Sequence, residues 1–253
     1  MGNAPEHKKS KLGLLGKNIS YSFSKTYFKA KFENENLPFS YKNFDIDSIE
    51  AFPKLIKSNP RLRGLNVTIP YKEAIIPYLN TLSKKAKKIG AVNTVVISKK
   101  GKLKGYNTDW YGFRNSIKPY LESHHDKALI LGTGGASKAI AYALDKLRIP
   151  YDYVSRSANE TVTYTYDELT IDIISEYSII INCTPLGTHP NVNSCPDIPY
   201  DGITEKHLLY DLIYNPSQTK FLLCGEIKGA TTVNGLRMLE LQAEKSWKIW
   251  NLV

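Results

Sequence analysis

Four short polar clusters and one glycine-rich turn hold the residues of this chain whose types and spacing could do chemistry. The clusters are Tyr21-Ser22-Phe23-Ser24, Leu65-Asn66-Val67-Thr68-Ile69-Pro70-Tyr71-Lys72, Gly90-Ala91-Val92-Asn93-Thr94 and Gly105-Tyr106-Asn107-Thr108-Asp109, and the turn is Gly132-Thr133-Gly134-Gly135-Ala136. Serine, threonine and asparagine side chains exchange hydrogen bonds with hydroxyl and carboxylate groups. Lysine adds a compact cation with rotatable donors, and aspartate a partner to hold it. A glycine turn that opens a helix presents backbone N–H groups to phosphate. A small polyhydroxylated substrate held against a nicotinamide satisfies all of these, so the residues point to a redox enzyme.

Such groups need a scaffold, and strand and helix signals alternate almost from end to end. Residues 11–16, 39–44 and 64–69 read as strands, and 24–36 and 46–58 as helices. Pro70 reads as the opening of another helix, because proline suits a first helical position. Residues 91–97 and 102–106 bracket Lys99-Lys100-Gly101 as a hairpin, and 109–121 is helical. Further strands are expected at 128–131, 151–154, 178–182 and 208–213, with an Ala-rich helix over 135–147 and helical or irregular segments elsewhere. Residues 191–200 read as a loop and 236–252 as a final helix. The alternation predicts an α/β fold with a parallel sheet built from crossovers. It divides into an N-terminal α/β substrate domain over 1–107, to which 235–253 returns, and a Rossmann-like dinucleotide-binding domain over 108–234. The two would face one cleft.

The segment Ala128-Leu129-Ile130-Leu131-Gly132-Thr133-Gly134-Gly135-Ala136-Ser137 runs from a strand into a helix, the context a dinucleotide fingerprint needs. Gly132 would allow the tight turn and Gly134 the close approach of the pyrophosphate, with Ser137 at the third glycine position. The next strand ends Val154-Ser155-Arg156-Ser157, with no acid for ribose hydroxyls and an arginine able to grip an extra phosphate. NADP is the expected cofactor.

Composition is that of an ordinary globular protein, at 42% hydrophobic and 23% charged, but the net charge of +10 is not. Much of it lies in Lys84, Lys85, Lys87, Lys88, Lys99, Lys100, Lys102 and Lys104, around one expected strand pair. Without interleaved aromatics these lysines make a solvated face rather than a nucleic-acid platform, and their field would draw in anions. Cys183, Cys195 and Cys224 form no C-x-x-C pair, and the histidines show no metal-ligand spacing, with His124-His125 expected in a solvated loop. No metal is expected. No segment has the apolar length of a membrane span and residues 1–7 read as a loose tail, so the expected compartment is a reducing cytoplasm.

Taken in order, the motifs resemble those of the shikimate dehydrogenase family over nearly the whole chain, from Gly13 to about Gln242. The resemblance rests on Ser22-x-Ser24, Asn66-Val67-Thr68-x-Pro70-x-Lys72, Gly90-Ala91-Val92-Asn93-Thr94, Asn107-Thr108-Asp109-x-x-Gly112, Gly132-x-Gly134-Gly135-Ala136, Ser155-Arg156-Ser157, Asn182-Cys183-Thr184-Pro185-Leu186-Gly187, Asp211-Leu212-Ile213-Tyr214-Asn215-Pro216 and Gly235-Leu236-x-Met238-Leu239-x-x-Gln242. It implies NADP(H)-dependent interconversion of 3-dehydroshikimate and shikimate, a step toward chorismate and the aromatic amino acids. It further implies that Lys72 and Asp109 are the catalytic pair and that Ser22, Ser24, Asn66, Thr68, Asn93, Tyr214 and Gln242 hold the substrate. Gly132, Gly134, Gly135, Ala136, Ser155, Arg156, Ser157, Thr184 and Gly235 would hold NADP, with Gly235 leaving room for the nicotinamide. Three positions depart from the family's usual pattern: Tyr21 in place of His, Lys25 in place of Pro, and Glu160 in place of a second arginine after Arg156.

Reduction of a ring ketone needs a hydride donor, a proton for the developing alkoxide and charge stabilisation at that oxygen. Lys72 can supply the last two, as a true acid/base or as a fixed electrostatic donor, and Asp109 can hold it in place. Two alternatives stay open. One is a quinate or dual quinate/shikimate dehydrogenase using NAD, against which Ser24 speaks, since quinate-using relatives tend to carry Thr there. The other is a non-catalytic nucleotide-sensing or nucleic-acid-binding protein, for which an intact Lys72 and Asp109 would have no use.

Overall fold

A computed structural model of the chain describes residues 10–20 and 22–251. The expected tail at 1–7, the Tyr21 position and Leu252 lie outside those residues. Two compact units divide the chain, residues 1–108 with 245–253 and residues 109–244. The sequence reading places the return to the first unit at 235; the compact unit takes the chain back at Lys245, inside the last helix.

The first unit runs β1 (Ser10–Gly16), α1 (Phe23–Asn34), β2 (Phe39–Asp45), α2 (Phe52–Ser58), β3 (Leu62–Val67), α3 (Tyr71–Ala74), β4 (Thr81–Leu82), α4 (Lys84–Ile89), β5 (Thr94–Ile97) and β6 (Leu103–Tyr106). The second runs α5 (Asp109–Ile117), β7 (Ala128–Leu131), α6 (Gly135–Leu147), β8 (Tyr151–Ser155), β9 (Tyr164–Thr165), α7 (Ile171–Ser175), β10 (Ile179–Asn182), β11 (Leu208–Asp211), α8 (Lys220–Ile227), β12 (Thr231–Val233) and α9 (Leu236–Trp250).

The first sheet has the order β2-β1-β3-β5-β6-β4. β1 pairs in parallel with β2 and β3, whereas β5 runs antiparallel to both β3 and β6. The expected hairpin forms, with Gly101 at φ +73° in its turn, a conformation that suits glycine. Residues 46–58 are not one helix: a 3-10 turn over Ile49–Ala51 precedes α2, and Pro53 sits in the first turn of α2. Pro70 flanks α3 rather than starting it. Four of the clustered lysines, at 84, 85, 87 and 88, lie on α4 and not on the strand pair. That helix carries apolar residues only at Ala86 and Ile89, too few for a visible period, and is started by Ser83, whose Oγ accepts the Ala86 N–H at 3.1 Å.

Each face of this sheet has its own packing. Leu15, Leu65, Val67, Val95 and Ile97 lie in one buried cluster with Phe52, Tyr71 and Ile75. On the other side aromatic rings close up: Phe28 stacks on Tyr41 with centroids 4.8 Å apart, Trp250 lies 5.4 Å from Phe28, and Trp247 lies 5.5 Å from Phe32. The Trp250 indole N–H donates to the Val95 carbonyl at 3.0 Å. The C-terminal end of α9 is thereby fastened to the first sheet.

The second sheet is wholly parallel, in the order β12-β11-β10-β7-β8-β9. Counted within the unit this is the doubly wound order, reversing direction between β7 and β10. β7, β10 and β11 are buried along their whole length, and alternate residues feed two cores: Ile130, Ile181 and Tyr210 on one face, Leu129, Ile180 and Leu209 on the other. Continuous apolar strands of this kind are what a sheet covered on both faces requires. β12 is three residues long, below the length at which alternation shows in a sequence. His124 is exposed as expected, but His125 is buried, its Nδ1 accepting the Glu122 N–H at 2.9 Å. Among the described residues no helix is long and apolar enough to cross a membrane.

The close approach of Trp250 to β3 depends on Gly64, where an added Cβ would lie 2.3 Å from the indole Nε1. Gly64→Ala is expected to displace the ring and destabilise the protein by about 1–3 kcal/mol, the range for overpacked cores. Urea unfolding measures it, and an unchanged midpoint would show that the indole can shift freely.

Candidate active site

In the first unit, strand ends and the loops after them gather the polar clusters. β1 and β5 flank β3, with Leu14 and Thr94 opposite Asn66. Asn66 is 4% exposed, and both its amide oxygen and its amide nitrogen are hydrogen-bonded. The Tyr41 hydroxyl donates to Asn66 Oδ1 at 2.8 Å. Asn66 Nδ2 donates to Ser246 Oγ at 3.0 Å and lies 3.3 Å from the Asn93 carbonyl. Asn93 is tied to the end of the unit: its Oδ1 accepts the Thr108 N–H at 2.6 Å, and its Nδ2 donates to Thr108 Oγ1 at 2.9 Å. Asn107 Nδ2 donates to the Ala91 carbonyl at 3.0 Å, so Asn107 and Thr108 are held on both sides.

Ser22 is the N-cap residue of α1, and its side chain makes no capping bond. Ser24 is the second residue of that helix, so it does not cap it. Ser24 is buried and hydrogen-bonds the Tyr41 phenol, whose pKa burial pushes well above the usual tyrosine range while the Ser24 contact opposes. Thr68 is half-buried, its N–H donating to the Leu15 carbonyl and its carbonyl accepting the Tyr71 N–H, each at 2.9 Å. Lys72 is half-buried on α3, and its carbonyl accepts the Val92 N–H at 2.7 Å. That bond sets α3 beside the loop that delivers Asn93.

In the second unit, Asp109 starts α5 and is 5% exposed. Gly112, one turn on, lets α9 approach: a Cβ there would lie 2.5 Å from the Met238 carbonyl and 3.1 Å from Gln242 Cβ. Gln242 therefore packs one helical turn from Asp109. Gln242 is 6% exposed, with its Nε2 donating to the Leu239 carbonyl at 3.0 Å.

The glycine turn lies at the C-terminal end of β7, beside the reversal of strand order, where ligands bind in open α/β sheets. Gly132 has φ +100° and a built Cβ 3.1 Å from Thr184 Cγ2, so Thr184 packs directly on the turn. Gly134 is the N-cap of α6, and a Cβ there would project into open space. A side chain in that space would hold a phosphate off the backbone; glycine leaves it clear. Gly135 and Ala136 are the first residues of α6, where free N–H groups and the positive end of the helix dipole favour an anion. Ser137 is fully buried and donates to the Gly134 carbonyl at 2.6 Å, bracing the turn.

Ser155 ends β8, and Arg156 and Ser157 beyond it are exposed. Nearby Tyr166 has a buried hydroxyl with no hydrogen-bond partner. Its phenol is pushed up to about 12 by burial and by Cys183, with Arg156 pulling the other way. A dipolar helix start, an uncovered glycine, an exposed arginine and an orphaned hydroxyl fit a dinucleotide with an added phosphate.

Beneath the turn, Thr184 Oγ1 donates to Asn182 Oδ1 at 2.7 Å, and Asn182 Nδ2 donates to Asp211 Oδ1 at 3.1 Å. Asp211 also accepts the Ile213 N–H at 3.0 Å and the Thr219 hydroxyl at 2.6 Å. This network fixes the segment that carries Tyr214, which is half-buried. Gly235 has a packing reason of its own, since a Cβ there would lie 2.1 Å from the Leu212 carbonyl. Among the described residues no group of three His, Cys, Asp or Glu side chains is placed to hold a metal ion.

Tyr41 and Ser246, both of which touch Asn66, stand in none of the sequence motifs. Ser246 carries the one legible signal: it stands four residues after Gln242, on the same helix face. Tyr41 reads only as one more aromatic on a strand.

A family model for the shikimate dehydrogenase substrate binding domain matches residues 14–95. The shikimate dehydrogenase (NADP(+)) of Clostridium botulinum is 39% identical over 253 residues, covering 95% of this chain and 96% of that protein. The crystal structure of Thermus thermophilus shikimate 5-dehydrogenase in complex with NADP(H) and shikimate matches with a TM-score of 0.85 at 30% identity, over 96% of this chain and 94% of the other. The quinate dehydrogenase of Corynebacterium glutamicum in complex with NAD matches with a TM-score of 0.85 at 25% identity, over 97% and 94%.

Burial raises the Asp211 pKa from 3.8 to about 6, against the pull of its hydrogen bonds to Thr219, Ile213 and Asn182. A carboxyl whose folded pKa is raised stabilises the fold fully below its unfolded pKa, and that contribution is lost as pH rises through the folded value. Between about pH 4 and pH 7, wild type should therefore lose up to about 3 kcal/mol relative to Asp211→Asn. Urea unfolding of both proteins at the two pH values measures this; parallel pH dependence would show that Asp211 titrates as in the unfolded chain.

Proposed function

The chain belongs to the shikimate dehydrogenase family, and on that premise we propose that it catalyses the reversible NADPH-dependent reduction of 3-dehydroshikimate to shikimate. The observation that carries this reading is identity extending through both units, with a dinucleotide-type turn at the strand-order reversal of the second. The first unit is the substrate domain and the second the NADP domain. The compartment is the reducing cytoplasm, in keeping with cysteines that form no disulfide among the described residues.

NADPH supplies the hydride when bound; the side chains of the chain manage the proton and the charge. Lys72 gives a proton to the oxygen that the hydride converts from carbonyl to alkoxide, and its ammonium stabilises the charge that builds there. Asp109 orients that ammonium and accepts from a neighbouring ring hydroxyl. In the reverse direction Lys72 takes the proton from the hydroxyl being oxidised. Ser22, Ser24, Asn66, Thr68, Asn93, Tyr214 and Gln242 bind the substrate's carboxylate and hydroxyls, and analogues lacking a hydroxyl are rejected because buried partners go unpaired. Gly132, Gly134, Gly135 and Ala136, with Thr184 beside them, would hold the pyrophosphate. Ser155, Arg156 and Ser157 would hold the 2′-phosphate, and Gly235 would leave room for the nicotinamide.

The match to an NAD-bound quinate dehydrogenase makes quinate and NAD the second reading. Quinate has a tetrahedral carbon under its carboxylate, so that group leaves the ring at another angle and meets Ser22 and Ser24 differently. Absorbance of the reduced nicotinamide, with shikimate or quinate and either cofactor, tests both; efficient quinate oxidation with NAD would replace the first reading by the second.

Two variants probe the assigned roles. Lys72→Ala is expected to lower kcat by about 10²–10⁴-fold, the usual range for an acid–base residue, with much less effect on shikimate binding. Turnover within a few-fold of wild type would remove Lys72 from the chemistry. Arg156→Ala is expected to weaken NADP by about 1.5–3 kcal/mol, as for a charge-assisted hydrogen bond, while KM for NAD hardly moves. Equal damage to both cofactors would make Arg156 structural.

A further inference from the structure

The hydrogen bonds around Asn66 run in one direction, and backbone groups set that direction. The Asn93 carbonyl can only accept, so the Asn66 atom 3.3 Å from it is Nδ2. Oδ1 then faces the Tyr41 hydroxyl, which donates to it at 2.8 Å, and Nδ2 donates to Ser246 Oγ at 3.0 Å. The Thr108 N–H can only donate, so the Asn93 atom 2.6 Å from it is Oδ1. Between these two fixed amides, Ser246 Oγ lies 2.8 Å from Thr94 Oγ1, and the Thr94 hydroxyl donates to Asn93 Oδ1 at 3.1 Å. Ser246 Oγ also lies 3.1 Å from Thr108 Oγ1, so Ser246 accepts from Asn66 within a cluster of two threonine hydroxyls. Asn93 closes the cluster, its Nδ2 donating to Thr108 Oγ1 at 2.9 Å, so the direction is fixed at the two amides: Tyr41 to Asn66, and Asn66 to Ser246.

This direction limits what Asn66 can offer a ligand. Both Nδ2 hydrogens point to protein acceptors, and Oδ1 carries one protein bond, from Tyr41, among the described residues. A carboxamide oxygen has two lone pairs, so its remaining capacity is to accept one more hydrogen bond. A carboxylate has no hydrogen to give, whereas a ring hydroxyl has one.

We propose that Tyr41 and Ser246 are positioning residues that lock the Asn66 carboxamide with Nδ2 inward, so that Asn66 meets the substrate only as the acceptor of a ring hydroxyl. The inference rests on the proposed substrate class, a polyhydroxylated ring carboxylate bound in part by Asn66. Ser246 comes from the last helix and Tyr41 from an edge strand, and neither needs to touch the ligand. Without Tyr41 the amide can turn over and present Nδ2, and the hydroxyl's own hydrogen then loses its acceptor. Without Ser246 an Nδ2 hydrogen loses its acceptor, and the same rotation becomes accessible.

The test uses the full-length protein with Tyr41→Phe and Ser246→Ala. Tyr41→Phe keeps the ring stacked on Phe28 and removes the hydroxyl from Asn66 and from Ser24 alike; the carboxamide separates the two effects, and the variant stays informative even if Ser246→Ala folds poorly. KM and kcat are measured for shikimate and NADP, KM for the carboxamide of shikimate and for the two monodeoxy analogues that keep the 3-hydroxyl, and the inhibition constant for the 3-deoxy analogue, which has no hydroxyl to oxidise. Each variant should raise KM for shikimate about tenfold, a typical hydrogen bond to a well-fixed partner, with kcat and KM for NADP within about twofold. The carboxamide should show the same tenfold penalty, and one monodeoxy analogue should show none, because it lacks the hydroxyl that Asn66 accepts from. Penalties equal across all analogues, a penalty lost with the carboxamide instead, or a parallel rise in KM for NADP would each overturn the proposal. Wild-type turnover of shikimate, read in the same assay, tests the substrate reading separately; without it this inference falls as well.

Discussion

Asn66 sits between β1 and β5 at 4% exposure, and a carboxamide there has to place its donors and its acceptor without water. Each unmet group would cost about 1–3 kcal/mol. That requirement reaches far along the chain. It brings Tyr41 from β2, the carbonyl of Asn93 from the loop before β5, and Ser246 from α9, whose end is fastened by the Trp250 indole to Val95. The strand register is part of the same constraint. A slip of one residue in β3 would turn Asn66 toward the apolar cluster of Leu65 and Val67.

The second unit meets a different requirement, an anion site in a sheet with no polar face. Its central strands are buried on both sides, so polar groups are confined to the strand ends. At those ends Gly132 turns the backbone, Gly134 leaves space before α6, and Asn182 and Asp211 hold the loops that follow β10 and β11. Asp211 is the expensive member of that set, a buried carboxyl held by a backbone N–H, an amide and a hydroxyl. Its accepted bonds order two loops at once, which an apolar residue could not do.

The basic charge is distributed apart from these groups. The lysines of α4 and of the β5–β6 hairpin are largely exposed, and none is among the candidate site residues. Lys72, by contrast, is half-buried beside the Asn93 loop. Position, not residue type, separates the one lysine assigned to chemistry from those that set the charge.

Much of this protein was legible in its sequence because the signals are local. Strand–helix alternation, Gly132 and Gly134 between an apolar run and an Ala-rich helix, and the missing acid after β8 all lie within short stretches, and the family motifs follow one another in order. Elements with little local signal did not show: α4 in its lysine run, three-residue β12, and the 3-10 turn that breaks the expected helix at 46–58. The site divides in the same way. Lys72, Asp109, Asn66 and Asn93 stand in motifs, so their candidacy needed no coordinates. The orientation of the Asn66 amide, the burial of Asp211 that raises its pKa, and the participation of Tyr41 and Ser246 were decided by tertiary structure alone. Hydrogen-bond direction depends on which donors and acceptors meet in space, and Asn66 and Ser246 meet across 180 positions of chain.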